Sequence, residues 1–297
     1  MTSDDLPVDA DPGLAITTDG WRGPMSDAWL HSADQLEAML EPVDAPLFNA
    51  ANLSVGERVI DVGCGRGATT RKAARHVGPS GTVVGVDVSP QSIVSASTQP
   101  IDPDSAYIDW IAADAQRAIL STEADVIISR FGVMFFDDPI EAFANLRRST
   151  APGGRFAAAV WQLRTASPFQ FRSLDVAVAA AAEIGVELRL PDPSAGPYAF
   201  GDAGFTTRVL EAAGWTDIGC TPHVLSLCVG GPLTRPAEAA DLGMANGPLL
   251  MLTGSLDEPT RAHIRNAVEA DLADAWIDDI GIALDAAILI VTATNSG

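Results

Sequence analysis

VIDVGCGRGA, Val59 to Ala68, runs from an apolar stretch into glycines at 63, 65 and 67 and then into a helical pattern. Read as a strand, a sharp turn and a helix, it sets the grammar of the chain. Gly63 and Gly65 let the backbone turn tightly and approach a ligand closely, and the helix that opens near Arg66 offers unpaired N–H groups. Downstream, RVIDV, RGATTRKAARHV, GTVVGVDV, PQSIVSAST and AYIDWIAAD alternate short apolar runs with amphipathic segments. ADVIIS, DPIEAFANLRRST and GGRFAAAVW continue the pattern. Buried strands alternating with helices define an α/β fold, a mostly parallel sheet wrapped on both faces. Upstream, Trp21 to Asn52 reads as helical, with Pro42 and Pro46 interrupting it. Beyond Trp161 the reading gives a helix over Phe169–Ala182, a Pro/Gly segment LPDPSAGPYAFGD, and a short helix over Thr206–Ala213. A strand over Trp215–Leu227, a mostly helical stretch over Pro232–Asp279 and a last strand over Ala286–Thr294 complete it.

A glycine-rich turn alone also serves as a plain strand-to-helix connection, so the chemistry rests on its neighbours. The spacing is not the dinucleotide pattern G-x-G-x-x-G that cradles a pyrophosphate. Asp61, two positions before the first glycine, would repel a pyrophosphate but suits a cationic amino group, directly or through water. Asp87 ends the second apolar run, where a carboxylate accepts from both hydroxyls of a ribose; the bland alternative is a helix cap, for which Ser89 is better placed. Asp114 ends the third run, where it can accept from an exocyclic adenine amine or cap a short helix.

The 297 residues carry 47% hydrophobic side chains and a net charge of −21, enough to bury a full core. With a pI near 4.3 the chain is unsuited to nucleic acid or to an anionic membrane surface, both of which need Lys and Arg. Three cysteines, Cys64, Cys220 and Cys228, follow no metal-like spacing, so free thiols in the cytoplasm and no metal are expected. The N-terminus lacks a basic, apolar secretory pattern, and the apolar Ile280–Ala293 stretch is too short for a bilayer, which needs about 20 residues.

In order, DVGCGRG, GVDVS, AADAQ, ADVIISRFGVMFFDDP and LRRSTAPGGRFAAAVW resemble the successive motifs of class I S-adenosylmethionine (SAM)-dependent methyltransferases, nearest the ubiquinone and menaquinone biosynthesis branch. DGWRGPMSDAW, PYAFGD and ILIVTATN extend the likeness outside the core. The resemblance implies a Rossmann-like, seven-stranded sheet ending in an antiparallel hairpin, with SAM as cofactor and S-adenosylhomocysteine as product. It implies that Asp61, Gly63, Cys64, Gly65 and Gly67 surround the methionine part, and that Asp87 and Val88 hold the ribose and flank the adenine. Asp114 and Ala115 would meet the adenine; Ser129, Arg130 and Phe131 would line the cofactor; Trp21 and Trp29 would close over the methionine end. Cys64 fits a packing or backbone role better than a nucleophilic one.

The expected organisation is a flexible tail (1–20), N-terminal helices over the site (21–55), a SAM-binding core (56–161), substrate-side helices with a sixth strand and a helical lid or insertion (162–285), and a final strand returning to the sheet (286–297). The expected partner is a small-molecule methyl acceptor bonding through O, N or C, and the sequence is compatible with a homodimer. Among the four histidines, His31 and His223 are the candidate general bases for a hydroxyl acceptor. Asp137 and Asp138 are read as capping the next helix. Phe135, Trp161, Phe169, Phe171, Leu190, Tyr198, Phe200 and Met244 point to an apolar pocket for an apolar or aromatic metabolite, though such residues also build plain core. The competing readings are a SAM-binding enzyme of non-methylating chemistry, a SAM or metabolite sensor, and a nicotinamide-dependent oxidoreductase, the last disfavoured by Asp61 and the glycine spacing.

Overall fold

The computed structural model describes residues 18–120, 123–163, 166–190 and 196–297. Most of the segment expected to be a flexible tail lies outside the described residues. Its last residues do not: a 3-10 turn, Thr18–Arg22, opens the described chain. Three short helices follow, α1 (Pro24–His31), α2 (Ala33–Leu40) and α3 (Asp44–Ala51), with Pro42 accommodated in a 3-10 turn between the last two.

The alternating core comprises β1 (Arg58–Val62), α4 (Ala68–Val77), β2 (Thr82–Asp87), α5 (Pro90–Ser97) and β3 (Tyr107–Ala112), then β4 (Ala124–Arg130), α6 (Pro139–Arg148) and β5 (Thr150–Trp161). The helices start where the sequence offers caps. Ser89 Oγ accepts from the Ser92 amide with Pro90 behind it, and the Asp138 carboxylate accepts from the Glu141 amide with Pro139 behind it. The later elements are α7 (Pro168–Glu183), α8 (Ala203–Ala212), β6 (Thr216–Cys228), α9 (Pro236–Ala245), α10 (Gly247–Thr253), α11 (Glu258–Asp274), β7 (Trp276–Ile277) and β8 (Gly281–Thr294). The helix expected from Thr206 begins earlier because Asp202 caps it through the Phe205 amide.

The strands lie in the order β3-β2-β1-β4-β5-β8-β6, parallel from β3 to β5, with β8 antiparallel to both β5 and β6. This is the expected seven-stranded sheet plus one short strand, since β7 pairs only with the start of β8. β8 begins at Gly281 rather than Ala286, moving the expected boundary: Asp285 faces solvent from a strand whose neighbours are buried, so its charge does not interrupt the pairing. The order reverses between β1 and β4, where open α/β sheets form a crevice at the carboxyl ends of the strands.

Two hydrophobic cores result. One joins the sheet to α3, α4, α6 and α8 through residues such as Ile60, Ile127, Phe143, Phe156 and Ile288. The other joins α7, α9, α10 and α11 through Leu174, Ala240, Leu252, Ile264 and Leu272. Phe143, 1% exposed, stands edge-on to Phe136 at 5.7 Å and to Phe156 at 5.5 Å. Phe143→Ala is expected to lower the unfolding free energy by about 3–5 kcal/mol in denaturant titration.

Candidate active site

The site begins with backbone geometry at the end of β1. Gly63, Gly65 and Gly67 all have positive φ, of 70°, 53° and 77°. At Gly63 a side chain is excluded twice, by that φ and by Gly132, whose Cα would lie 2.6 Å from an added Cβ. The turn is closed by hydrogen bonds from the Gly63 and Cys64 amides to the Val86 carbonyl, at 2.9 and 3.1 Å. The Gly65 amide donates to Asp87 Oδ2 at 2.9 Å, so the ends of β1 and β2 are locked together.

A cavity of about 370 Å³ opens over this turn. Gly63, Cys64, Gly65, Asp87, Val88, Asp114 and Ala115 line it on the sheet side, with Arg130 and Phe131 from the end of β4. Asp87 also accepts from the Ser89 amide at 2.9 Å, and its burial pushes its carboxyl above the usual range against the pull of those two backbone donors. Asp114 Oδ1 accepts from the Gln116 amide at 3.0 Å within a turn, with no helix there for it to cap, and the residue lines the cavity. Trp21 and Trp29 line the cavity edge-to-face at 5.8 Å, and Trp21 also meets Phe135 at 5.2 Å. The roof is tied down by polar contacts: Ser26 Oγ to Ser89 Oγ at 2.6 Å, Arg66 to Asp34 at 2.7 Å, and Asn246 to Ser32 at 3.1 Å.

Several expected site residues are elsewhere. Asp61 is fully buried beneath the turn and does not line the cavity. Its Oδ2 accepts from both the Thr69 and Thr70 hydroxyls at 2.6 Å, while Oδ1 has no partner. Ser129 does not line the cavity either: its hydroxyl donates to the Val62 carbonyl at 2.7 Å and accepts from the Gly132 amide at 3.2 Å, bracing β1 against β4. Gly67 serves packing, since an added Cβ would lie 2.2 Å from the Trp110 ring. His31 is exposed at the end of α1, and His223 sits on β6; none of the four histidines lines the cavity. Phe135, Trp161, Phe169 and Tyr198 line the cavity as expected of the apolar pocket, whereas Phe171, Phe200 and Met244 are core and Leu190 lies away from it. Asp138 caps α6, and the Asp137 amide donates to Gln116 at 2.7 Å.

Sequence reasoning missed Thr18, Glu37 and Asn246, all of which line the cavity. Glu37 Oε1 lies 3.9 Å from Arg66 Nε, itself on the cavity wall. A periodic helix pattern reveals which face of α2 is apolar but not that its polar residue at 37 meets the glycine turn.

The donor set fits SAM. Asp61 Oδ1 and Trp21 Nε1 are buried polar atoms without partners, suited to an ammonium reached through water and to a ligand oxygen. At Gly65 an added Cβ would meet nothing within 4 Å, so the turn fronts open space there.

The comparisons agree with this geometry. The Methyltransferase domain family matches residues 60–158. Over 117 residues the chain is 32% identical to aklanonic acid methyltransferase DauC of Streptomyces sp. (strain C5), covering 39% of this chain and 53% of that protein. It is 27% identical over 255 residues to nocamycin O-methyltransferase of Saccharothrix syringae, covering 82% of this chain and 86% of that protein. Among solved structures, the fold matches Haemonchus contortus phosphoethanolamine N-methyltransferase 2 with a TM-score of 0.52 at 13% identity, over 92% of this chain and 59% of that one. Residues 60–158 thus match a methyltransferase domain, and the likeness to class I SAM-dependent methyltransferases supports SAM as the cofactor. No helix among the described residues is long and apolar enough to cross a membrane.

Burial pushes the Asp61 carboxyl up to about 6, against the Thr69 and Thr70 hydroxyls. Because the folded-state pKa lies above the unfolded one, the native state holds more protons between about pH 4 and 6, and this group's contribution to stability falls as pH rises through about 6. Asp61→Asn keeps an acceptor for the two hydroxyls and loses the titration. Its stability relative to wild type is expected to rise between about pH 5 and 7.5 in denaturant unfolding, and a pH-independent difference contradicts this.

Proposed function

We propose that the protein transfers the methyl group of SAM to a small, apolar or aromatic metabolite held at the helical side of the cavity. One observation carries the reading: the cavity lies on the seam between the two hydrophobic cores. Its lining draws Val62, Val86 and Phe131 from the sheet side and Leu174, Leu249 and Val268 from the helical side. A nucleotide-like wall thus faces an apolar one across a shared space, which is the layout a two-substrate transfer needs. The likeness to aklanonic acid methyltransferase DauC and to nocamycin O-methyltransferase supports a small-molecule acceptor.

SAM supplies an electrophilic methyl on a sulfonium, so the protein's work is alignment and exclusion of water. In this reading Asp87 accepts from the ribose hydroxyls, Val88 flanks the adenine, and Asp114 and Ala115 meet its edge. The backbone of Gly63, Cys64 and Gly65 borders the methionine part, and Asp61 acts on its ammonium through water rather than directly. Arg130 is held by Asp44 at 2.7 Å and, with Phe131, closes the end of β4. Trp21 and Trp29 cover the methionine end. With no histidine on the wall, the acceptor atom is one that needs no histidine base: a carbon nucleophile, an amine, or an oxygen acidic enough to ionise at neutral pH.

Calorimetric titration tests the cofactor roles. Wild type is expected to bind SAM at micromolar levels and not NADH, and Asp87→Ala to weaken SAM at least about tenfold, the loss of a charge-assisted hydrogen bond pair. Methylated product with a supplied acceptor separates transfer from the non-methylating and sensor readings, which predict SAM binding without it.

A further inference from the structure

Among the described residues three carboxylates line the cavity, those of Glu37, Asp87 and Asp114, and two of them are already engaged. Asp87 accepts from the Gly65 and Ser89 amides, and Asp114 from the Gln116 amide. Glu37 accepts no hydrogen bond from the described residues, although its side chain is only 24% exposed. A carboxylate so far removed from water is ordinarily paired or hydrogen-bonded, because burial takes away its hydration.

The cation that faces Glu37 is incomplete as well. Arg66 Nε lies 3.9 Å from Glu37 Oε1, beyond hydrogen-bond reach, and is buried without a partner. Arg66 gives Nη1 to Asp34 at 2.7 Å, but that carboxylate is 89% exposed, so the pair is weak and open to exchange. Arg71, whose charge Glu37 also faces, spends Nη1 on the Arg66 carbonyl at 2.8 Å. Arg66 follows Gly65 directly, and Gly65 fronts open space. The two unmatched charges therefore stand beside the glycine turn that borders the methionine part of the cofactor in the reading above.

We propose that Glu37 and Arg66 form a clamp for the amino-acid end of the cofactor: Glu37 accepts from the ammonium, and the Arg66 guanidinium donates to the carboxylate. The proposal rests on SAM being the cofactor. A ligand with an ammonium and a carboxylate on one carbon gives each residue the partner it lacks, through hydrogen bonds of the stronger, charge-assisted kind. Holding the tail at both charges also fixes the direction in which the sulfonium presents its methyl group, so both are positioning residues for the transfer. Glu37 makes the direct contact with the ammonium, beside the water-mediated one given to Asp61.

Calorimetric titration with four adenosine thioethers tests the clamp: S-adenosylhomocysteine, its analogues lacking only the amino group or only the carboxylate, and methylthioadenosine, which lacks both. Wild type is expected to bind S-adenosylhomocysteine at least about tenfold more tightly than methylthioadenosine. Glu37→Gln is expected to weaken, by about tenfold, only the ligands that carry the amino group, and Arg66→Gln only those that carry the carboxylate. Methylthioadenosine affinity is expected to be unchanged in both variants, which reports an intact adenosine site. Equal binding of S-adenosylhomocysteine and methylthioadenosine to wild type overturns the proposal, as does a loss in either variant that ignores which charged group the ligand carries. Parallel loss of methylthioadenosine marks a purely structural role and overturns it too. Failure of wild type to bind any of the four removes the cofactor reading itself.

Discussion

The close approach of two backbones, Gly63 on Gly132, is the constraint on which the site depends. It brings the end of β1 against the segment after β4, and the Ser129 hydroxyl ties the two by bonding Val62 and Gly132 at once. The left-handed turn then directs the Gly65 amide to Asp87, fixing the carboxylate at the end of β2. Three strand ends are thereby held in one geometry before any ligand arrives, the kind of preorganisation that transfer chemistry needs. Asp61 and Ser129 act inside this scaffold, which is why both are fully buried rather than on the cavity wall.

Above that rigid floor the roof is built differently. The N-terminal helices reach the floor and the helical side through the Ser26–Ser89, Arg66–Asp34 and Asn246–Ser32 contacts. Each is worth about 1 kcal/mol, and an ion pair with an exposed partner such as Asp34 less. The floor is held by strand pairing and packed core, and the N-terminal helices add Leu40, Val43 and Leu47 to that same core.

Much of this was legible in the sequence, for stated reasons. The alternation of apolar runs and helices set the strand order's parallel half, and the caps Ser89 and Asp138 stood where their helices begin. Asp87 and Asp114 at strand ends lead to the cavity because parallel strands all end on one side. Position along the chain did not separate residues that line the cavity from those that support it. Asp61, Gly67 and Ser129 lie in the same series of motifs as Gly63 and Asp87, yet their side-chain positions are spent on Thr69 and Thr70, on Trp110 and on Val62. His31 and His223 were chosen by chemical type, and type carries no information on which face of a helix or strand a residue occupies. Glu37 and Asn246 come to the cavity through contacts across long separations, which no local pattern encodes.

The most direct measurement is a crystal structure of the protein soaked with S-adenosylhomocysteine. The account places the ribose hydroxyls on Asp87, the adenine beside Asp114 and Ala115, and the sulfur facing the space between Phe131, Phe169 and Tyr198. Ligand density elsewhere on the molecule, or in the cavity with the sulfur turned away from that space, would contradict it.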